Sequence, residues 1–207
     1  MIENVNCIQG TDEWFASRCG LITTSNFSAV LARGEGKTRR SYLLRLAAEI
    51  LTGEPGETFS NGPIERGHQM EEEARALYAF SRDVDPQIVG FIKNDSIIPG
   101  AIIGCSPDAL LGENALLEIK SKRADLLIDI LIKDEWPPEH RAQCQGALWV
   151  TEREYIDLVC YAPGIPLFVK RATRDESYIA RLAEAVEVFN FELQQTVKFI
   201  REYGAAA

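Results

Sequence analysis

The sequence predicts an α/β fold, a single domain over residues 1–207 with a central mixed β-sheet flanked by helices. Runs with helical apolar spacing alternate with short strand-like runs in the order helices, strands, helix, strands, helix, which is the pattern of a layered α/β domain. Nothing divides them. There is no internal repeat and no Pro/Ser/Gly linker, and 207 residues bury enough surface to fold without a disulfide or metal staple. A mostly helical part over about 1–85 should precede a sheet-rich part with its helices over about 86–172, followed by a long helix over about 174–203.

Thr11, Asp12 and Glu13 open a first helix carrying Trp14 and Phe15, stopped by Gly20. Ser25 is placed to N-cap a second helix through Phe27, Val30 and Leu31. Residues 33–40 (RGEGKTRR) read as a basic loop, and 41–51 (SYLLRLAAEIL) as a mostly buried helix ended by Gly53. A polar connection follows with Gly56, Asn61, Gly62 and Pro63, after which Met70, Ala74, Leu77 and Tyr78 form the stripe of a helix over 69–82. Strands are expected at 87–92, at 97–105 around a Pro99-Gly100 break, at 109–111 and at 115–120. The last two are joined by a Gly112-Glu113-Asn114 turn. Further helices are expected at 124–132 and from Pro137-Pro138 through Gln143 to Val150, proline being tolerated in a first turn. Strands at 154–161 and 167–171 flank a Pro163-Gly164 turn. Ile179, Leu182, Val186, Phe189, Leu193, Val197 and Ile200 then step by three and four residues, as a helix packed on the sheet does.

Composition narrows the function classes. Lys plus Arg number 22 against 31 Asp plus Glu, a net charge of -9, which argues against a polybasic coat but leaves room for a local basic groove. The five cysteines form no CxxC pair and there are two histidines, His68 and His140, so neither a disulfide framework nor a zinc site of Cys and His is expected. No run approaches 18 apolar residues, so no membrane contact is expected, and the N-terminus does not read as a signal peptide. A reducing cytoplasm is the expected setting.

The chemistry lies in Ser106-Pro107-Asp108, nine further residues, and Glu118-Ile119-Lys120. Strand alternation puts Leu117 and Ile119 on one face and Leu116, Glu118 and Lys120 on the other. The turn at Gly112–Asn114 folds Asp108 back towards them. Phosphodiester hydrolysis needs such a cluster: hard carboxylate oxygens hold Mg²⁺, which neutralises the phosphate and lowers the pKa of a bound water, while a lysine orients that water. Acid-x-Lys on a strand is also common as a solvated face. The apolar lead of Ala101, Ile102 and Ile103 into Pro107-Asp108 sets this case apart, because buried strands seldom end in charge without reason.

These residues resemble the PD-(D/E)xK nuclease signature, and other motifs in order resemble the phage lambda exonuclease family of viral-type recombination exonucleases. They are Gly10-Thr11-Asp12-Glu13-Trp14 with Arg18, Gly20, Ile22-Thr23 and Ser25; Gly67-His68-Gln69-Met70-Glu71 with Ala74-Arg75; and Ala142-Gln143-Cys144-Gln145 with Trp149-Val150-Thr151. The resemblance implies a restriction-endonuclease-like core and processive, Mg²⁺-dependent 5′→3′ digestion of one strand of linear double-stranded DNA. The products would be 5′-mononucleotides and 3′ single strand for phage-type recombination. It also implies a homotrimer ring, a single-strand annealing protein as partner, and a phage or prophage origin in a bacterial cytoplasm. Asp108, Glu118 and the Ile119 backbone carbonyl would bind metal, two ions with Mn²⁺ as a substitute for Mg²⁺. Glu71 would support the second ion through water, Lys120 would hold the attacking water, and Gln143 would help hold Lys120 or the water.

Arg18 and Ser25 match residues that hold the 5′-phosphate, with Thr23 and Thr24 as further donors. Arg39 and Arg40 belong to a basic group (Arg33, Lys37, Arg39, Arg40, Arg45, Lys122, Arg123) expected along the path of DNA. Thr38 stands where the family prototype has an apolar wedge residue, and Ile64 where a second would lie, which leaves strand separation without a matched residue. Read without the motifs, Trp14 and Phe15 are core anchors, Arg18 a surface or capping residue, and Glu71-Glu72-Glu73 decoration of a helix dipole. The rival assignments are another PD-(D/E)xK endonuclease, of restriction or repair type, and a non-catalytic module that binds DNA ends.

Overall fold

A computed structural model describes residues 1–32, 37–56 and 62–205. Their strands divide between two mixed, four-stranded sheets. The first has the order β1-β3-β4-β2 and is built from β1 (Ile2–Val5), β2 (Ile22–Thr23), β3 (Phe91–Ile98) and β4 (Ala101–Cys105), with β2 and β4 parallel. The second has the order β5-β6-β7-β8 and is built from β5 (Ala109–Leu111), β6 (Ala115–Ser121), β7 (Tyr155–Tyr161) and β8 (Phe168–Thr173). Here β6 and β7 are parallel. A parallel pair needs a crossover, and helices α5 (Ala124–Lys133) and α6 (Arg141–Thr151) supply it. The other helices are α1 (Asp12–Arg18), α2 (Phe27–Val30), α3 (Lys37–Thr52), α4 (Gly62–Arg82) and α7 (Glu176–Ala205).

One large core joins the two sheets: Ile22, Ile92 and Ile103 from the first meet Leu116, Ile156 and Leu158 from the second, under α3, α6 and α7. A smaller core lies on the other face of the second sheet, where Ala74 and Tyr78 of α4 pack on Ala109, Leu117, Ile119, Val159 and Tyr161. β6 therefore alternates as its sequence predicts, with Leu116 in one core and Leu117 and Ile119 in the other. Two hydrogen bonds hold α4 in register with β7: Tyr78 donates its hydroxyl to the buried Asp157 (2.6 Å), and Tyr161 donates to Glu73 (2.8 Å). Arg171 also forks onto Asp157 at 2.8 and 2.9 Å. Among the described residues no helix is long and apolar enough to cross a membrane, and the five cysteines are free.

Several boundaries differ from expectation. The α3 helix starts at Lys37, not Ser41, so Thr38, Arg39 and Arg40 are helical rather than part of a loop. Arg39 explains this: it donates twice to Glu192 of α7 (2.6 and 3.1 Å) and sits 5.2 Å from the Phe189 ring. The α4 helix starts at Gly62, with Pro63 in the first turn, where its missing N–H leaves no bond unmade. Ser25 does not cap α2. It lies inside a 3-10 turn, Thr24–Asn26, and α2 has no side-chain cap. Strands β1 and β2 were not expected; the first is an exposed edge without alternation and the second has two residues. Arg33 and the side chains of Lys37, Ile64 and His68 lie outside the described residues.

Candidate active site

The antiparallel β5–β6 pair brings the acidic cluster together. Ala109 faces Leu117, the Asp108 N–H donates to the Leu117 carbonyl (3.1 Å), and the Ile119 N–H donates to Asp108 Oδ2 (2.5 Å). Asp108 is thus latched to the strand that carries Glu118 and Lys120. Glu118 is 3% exposed, and its Oε1 sits 2.6 Å from Lys120 Nζ and accepts from Gln143 Nε2 of α6, also at 2.6 Å. Asp108, Glu118, Lys120 and Gln143 therefore meet at one end of β6.

The electrostatics are those of a crowded anionic pocket. Burial holds the Asp108 carboxyl well above the usual carboxylate range, the charges of Glu118 and then Glu71 push the same way, and Lys120 and the Ile119 N–H oppose them. Burial lowers the Lys120 pKa, but the attraction of Glu118 and Asp108 outweighs it and leaves the ammonium more firmly protonated than usual. Glu71 is half-buried on α4 and accepts from Arg75 one turn on (2.6 Å), while Glu72 and Glu73 are exposed. Arg75 Nε is buried with no partner among the described residues.

These donors fit a hard divalent cation. Glu118 spends Oε1 on Lys120 and Gln143, and Asp108 spends Oδ2 on the Ile119 amide, which leaves one oxygen of each for a ligand. A cation beside them would relieve the repulsion that raises Asp108. Among the described residues no three His, Cys, Asp or Glu side chains gather closely enough to hold a metal by themselves. With a backbone carbonyl and waters completing the shell, such a donor set would suit Mg²⁺ or Mn²⁺ better than zinc.

A second cluster lies between α1 and α3, in a cleft of about 230 Å³ lined by Trp14, Arg18, Thr23, Asn26, Tyr42 and Arg45, among others. The Arg18 guanidinium stacks 3.9 Å over the Trp14 ring and donates to Ser25 Oγ at 3.4 Å. Asn26 Nδ2 donates to Thr23 Oγ1 (3.0 Å), and Arg45 donates to Asn26 Oδ1 (3.1 Å). Burial lowers the Arg18 pKa and Arg45 adds to that, against Tyr42. Two guanidiniums and several hydroxyls round one cleft make a good anion seat. Glu49, the acid on its wall, is occupied by the Gly20 and Gly56 amides (2.8 and 3.2 Å).

The two clusters are joined. Trp14 Nε1 donates to Ser106 Oγ (2.9 Å), and Gln9 Nε2 donates to the Pro107 and Val89 carbonyls (2.9 Å each), so the segment that ends at Asp108 is held from the cleft side. Trp14 is thus a platform under Arg18 rather than a simple core anchor. Three expected site residues stand apart from both clusters. Thr24 is buried against α6, where Gly146 has no side chain to crowd it; Arg39 is tied to α7; Arg40 is exposed on the first turn of α3. Sequence reading missed Asn26, Tyr42, Glu49 and Gln9. A signal for two of them was present: Tyr42, Arg45 and Glu49 recur at i, i+3 and i+7, one face of a helix.

Comparisons with known proteins identify relatives of the whole chain. The family of YqaJ-like viral recombinase domains matches residues 13–154. Comparison with curated proteins gives no match. The alkaline exonuclease LHK-Exo from Laribacter hongkongensis is similar over 95% of this chain and 99% of its own, at 30% identity and a TM-score of 0.84. A second LHK-Exo structure, in complex with dAMP, gives 0.85 at the same identity and coverage. A phage-related exonuclease from Haemophilus somnus 129PT shares the fold at 15% identity, with a TM-score of 0.61 over 87% of this chain and 96% of its own.

Proposed function

From the premise that the chain belongs to the family of YqaJ-like viral recombinase domains, as its lambda-exonuclease-like motifs imply, we propose that it is a metal-dependent DNA exonuclease of a phage-type recombination system. Its fold is the restriction-endonuclease-like α/β core expected from the motifs. On this reading it digests one strand of linear duplex DNA from the 5′ end, processively and with Mg²⁺, and leaves 3′ single strand. A homotrimer ring, an annealing protein that takes up the exposed strand, and a bacterial cytoplasm complete the proposal.

The observation that most supports it is the meeting of Asp108, Glu118, Lys120 and Gln143. When bound, the divalent ion would supply charge neutralisation at the phosphate and a more acidic water. The chain's own part is positional. Asp108 and Glu118 would each give the ion one oxygen, and Glu71 would act from α4 through water. Lys120, kept cationic by Glu118, would orient the water and offset charge gathering on the phosphate oxygens. Gln143 holds Glu118 through one oxygen and leaves its second oxygen unspent. LHK-Exo was crystallised with dAMP, a mononucleotide of the class proposed as product here.

Linear duplex labelled at one 5′ end tests the reading. With the other 5′ end blocked, the expected outcome is early release of labelled mononucleotide, full-length persistence of the other strand, arrest by EDTA, and no cutting of covalently closed circles. Nicked or linearised circles would identify an endonuclease instead, and binding without nucleotide release a non-catalytic module.

The cleft of Arg18 and Ser25 would seat the terminal 5′-phosphate and so impose polarity. Arg18→Ala should then slow 5′-phosphorylated ends by about tenfold to a hundredfold, the equivalent of one charge-assisted contact, and leave 5′-hydroxyl ends nearly unaffected. An unchanged rate ratio between the two ends would place the phosphate elsewhere.

A further inference from the structure

Two residues beyond Lys120 stands a second lysine that the proposed chemistry does not use. The Lys122 N–H, one residue past the end of β6, still donates to the Tyr161 carbonyl (2.8 Å), which keeps the chain extended there and puts Lys122 on the face of Lys120. Its Nζ lies 2.9 Å from His140 Nε2 and 3.3 Å from Glu139 Oε1, and its side chain is only 16% exposed. His140 and Glu139 sit on the 3-10 turn Pro138–His140 that leads into α6, the helix of Gln143. The ends of β6 and α6 are thus clasped twice, once at Glu118 and once at Lys122.

The clasp at Lys122 differs in kind from that at Lys120. Lys120 is matched at 2.6 Å by a buried carboxylate. Lys122 has as its near partner an imidazole that accepts a hydrogen bond without cancelling charge; burial, then Lys122 and Lys120, keep that ring neutral by holding its pKa down to about 4. The nearby carboxylate, Glu139, is 55% exposed and at the longer distance. Lys122 donates to Glu139, but that carboxylate is solvated, so an ammonium held rigid and mostly buried keeps a donor that a second anion could take. Its place says which one: Ser106, through which Trp14 ties the Arg18 cleft to the cluster, leads into β5 on one side of β6, and Lys122 is bonded to Tyr161 of β7 on the other.

We infer that Lys122 binds the internucleotide phosphate on the 3′ side of the scissile bond, and that His140 is its positioning residue. This rests on the nuclease reading above, and its test is built to fail separately. Affinity for 5′-phosphorylated linear duplex is measured in EDTA across a range of salt, so that no catalysis enters. Loss of one phosphate contact lowers the slope of log affinity against log salt by about one. Lys122→Met, which keeps the apolar stem, and Lys122→Ala should both show that loss, while Lys122→Arg should not. His140→Gln, which keeps an acceptor, should behave as the unaltered protein, and His140→Leu should weaken binding towards the Lys122→Met level. Melting temperatures identify any variant that fails to fold.

A neutral methylphosphonate placed at that one phosphate gives the second reading. Read as release of the first nucleotide only, before that linkage itself becomes the scissile one, it should slow the unaltered enzyme several-fold and leave Lys122→Met equally fast on both substrates. An unchanged salt slope, or a Lys122→Met enzyme as sensitive to the methylphosphonate as the unaltered one, overturns the inference. Failure of the nuclease reading would show elsewhere, as digestion that survives loss of Asp108.

Discussion

Asp108→Asn should abolish digestion and, in the absence of metal, raise the melting temperature. The two effects come from one cause. Asp108 is pushed well above the usual carboxylate range by burial and by Glu118 and Glu71, so its charge is unfavourable in the folded chain unless a cation compensates. The sign follows from linkage: a carboxyl with a raised folded pKa loses stability as pH climbs past its unfolded value, and at neutral pH that loss is present. Asparagine keeps an oxygen for the Ile119 amide and removes the repelled charge. Each kcal/mol recovered is worth about 2–4 °C in a chain of this size. Activity should fall by at least roughly 10³-fold, as when one member of a catalytic unit is removed. Addition of Mg²⁺ should raise the melting temperature of the unaltered protein and not of Asp108→Asn. A variant that melts lower in EDTA, or that digests DNA at an undiminished rate, would remove the role given to this carboxylate.

The second large effect is expected at Gly104. This residue of β4 lies between Lys93 of β3 and Thr23 of β2, and a Cβ there would be driven into the ring of Phe91. Phe91 is fully buried, and its ring lies 5.8 Å from the Arg18 guanidinium. Gly104→Ala must therefore move an enclosed aromatic ring, an overpacking that costs about 1–3 kcal/mol. It should also disturb the floor beneath Arg18. The expected result is a melting temperature lowered by several degrees together with a reduced preference for 5′-phosphorylated ends. Thermal unfolding and the end-preference assay check the two parts, and a variant as stable as the parent would show that the ring has room to move.

How much of this was readable in the amino acids depends on whether the information was local. The β6 face was: two-residue alternation in ALLEIKSK places Glu118 with Lys120, and the Gly112–Asn114 turn brings back Asp108. The stacking of Arg18 on Trp14 was half-readable, since residues four apart share a helix face, although the pattern alone did not distinguish a platform from a core anchor. Contacts between distant segments were not readable. Arg39 looks like a DNA contact in its basic run until Glu192, 153 residues later, is seen to take it. Thr24 resembles its hydroxyl neighbours until α6 is packed over it. Ser25 has the side chain of an N-cap, but its hydroxyl is turned towards Arg18. The early start of α3 likewise reflects α7, not local propensity.

The placement of β6 between β5 and β7 has an implication for the population of molecules. A slip of one residue would turn Leu117 and Ile119 towards the Asp108 side and drive Glu118 and Lys120 into the apolar layer beneath α4. Such a misaligned conformer would bury two charges in an apolar layer, so the correct register and the meeting of Asp108, Glu118 and Lys120 are favoured together. On the proposed reading, active-site titration of a native preparation should therefore count nearly as many centres as polypeptides.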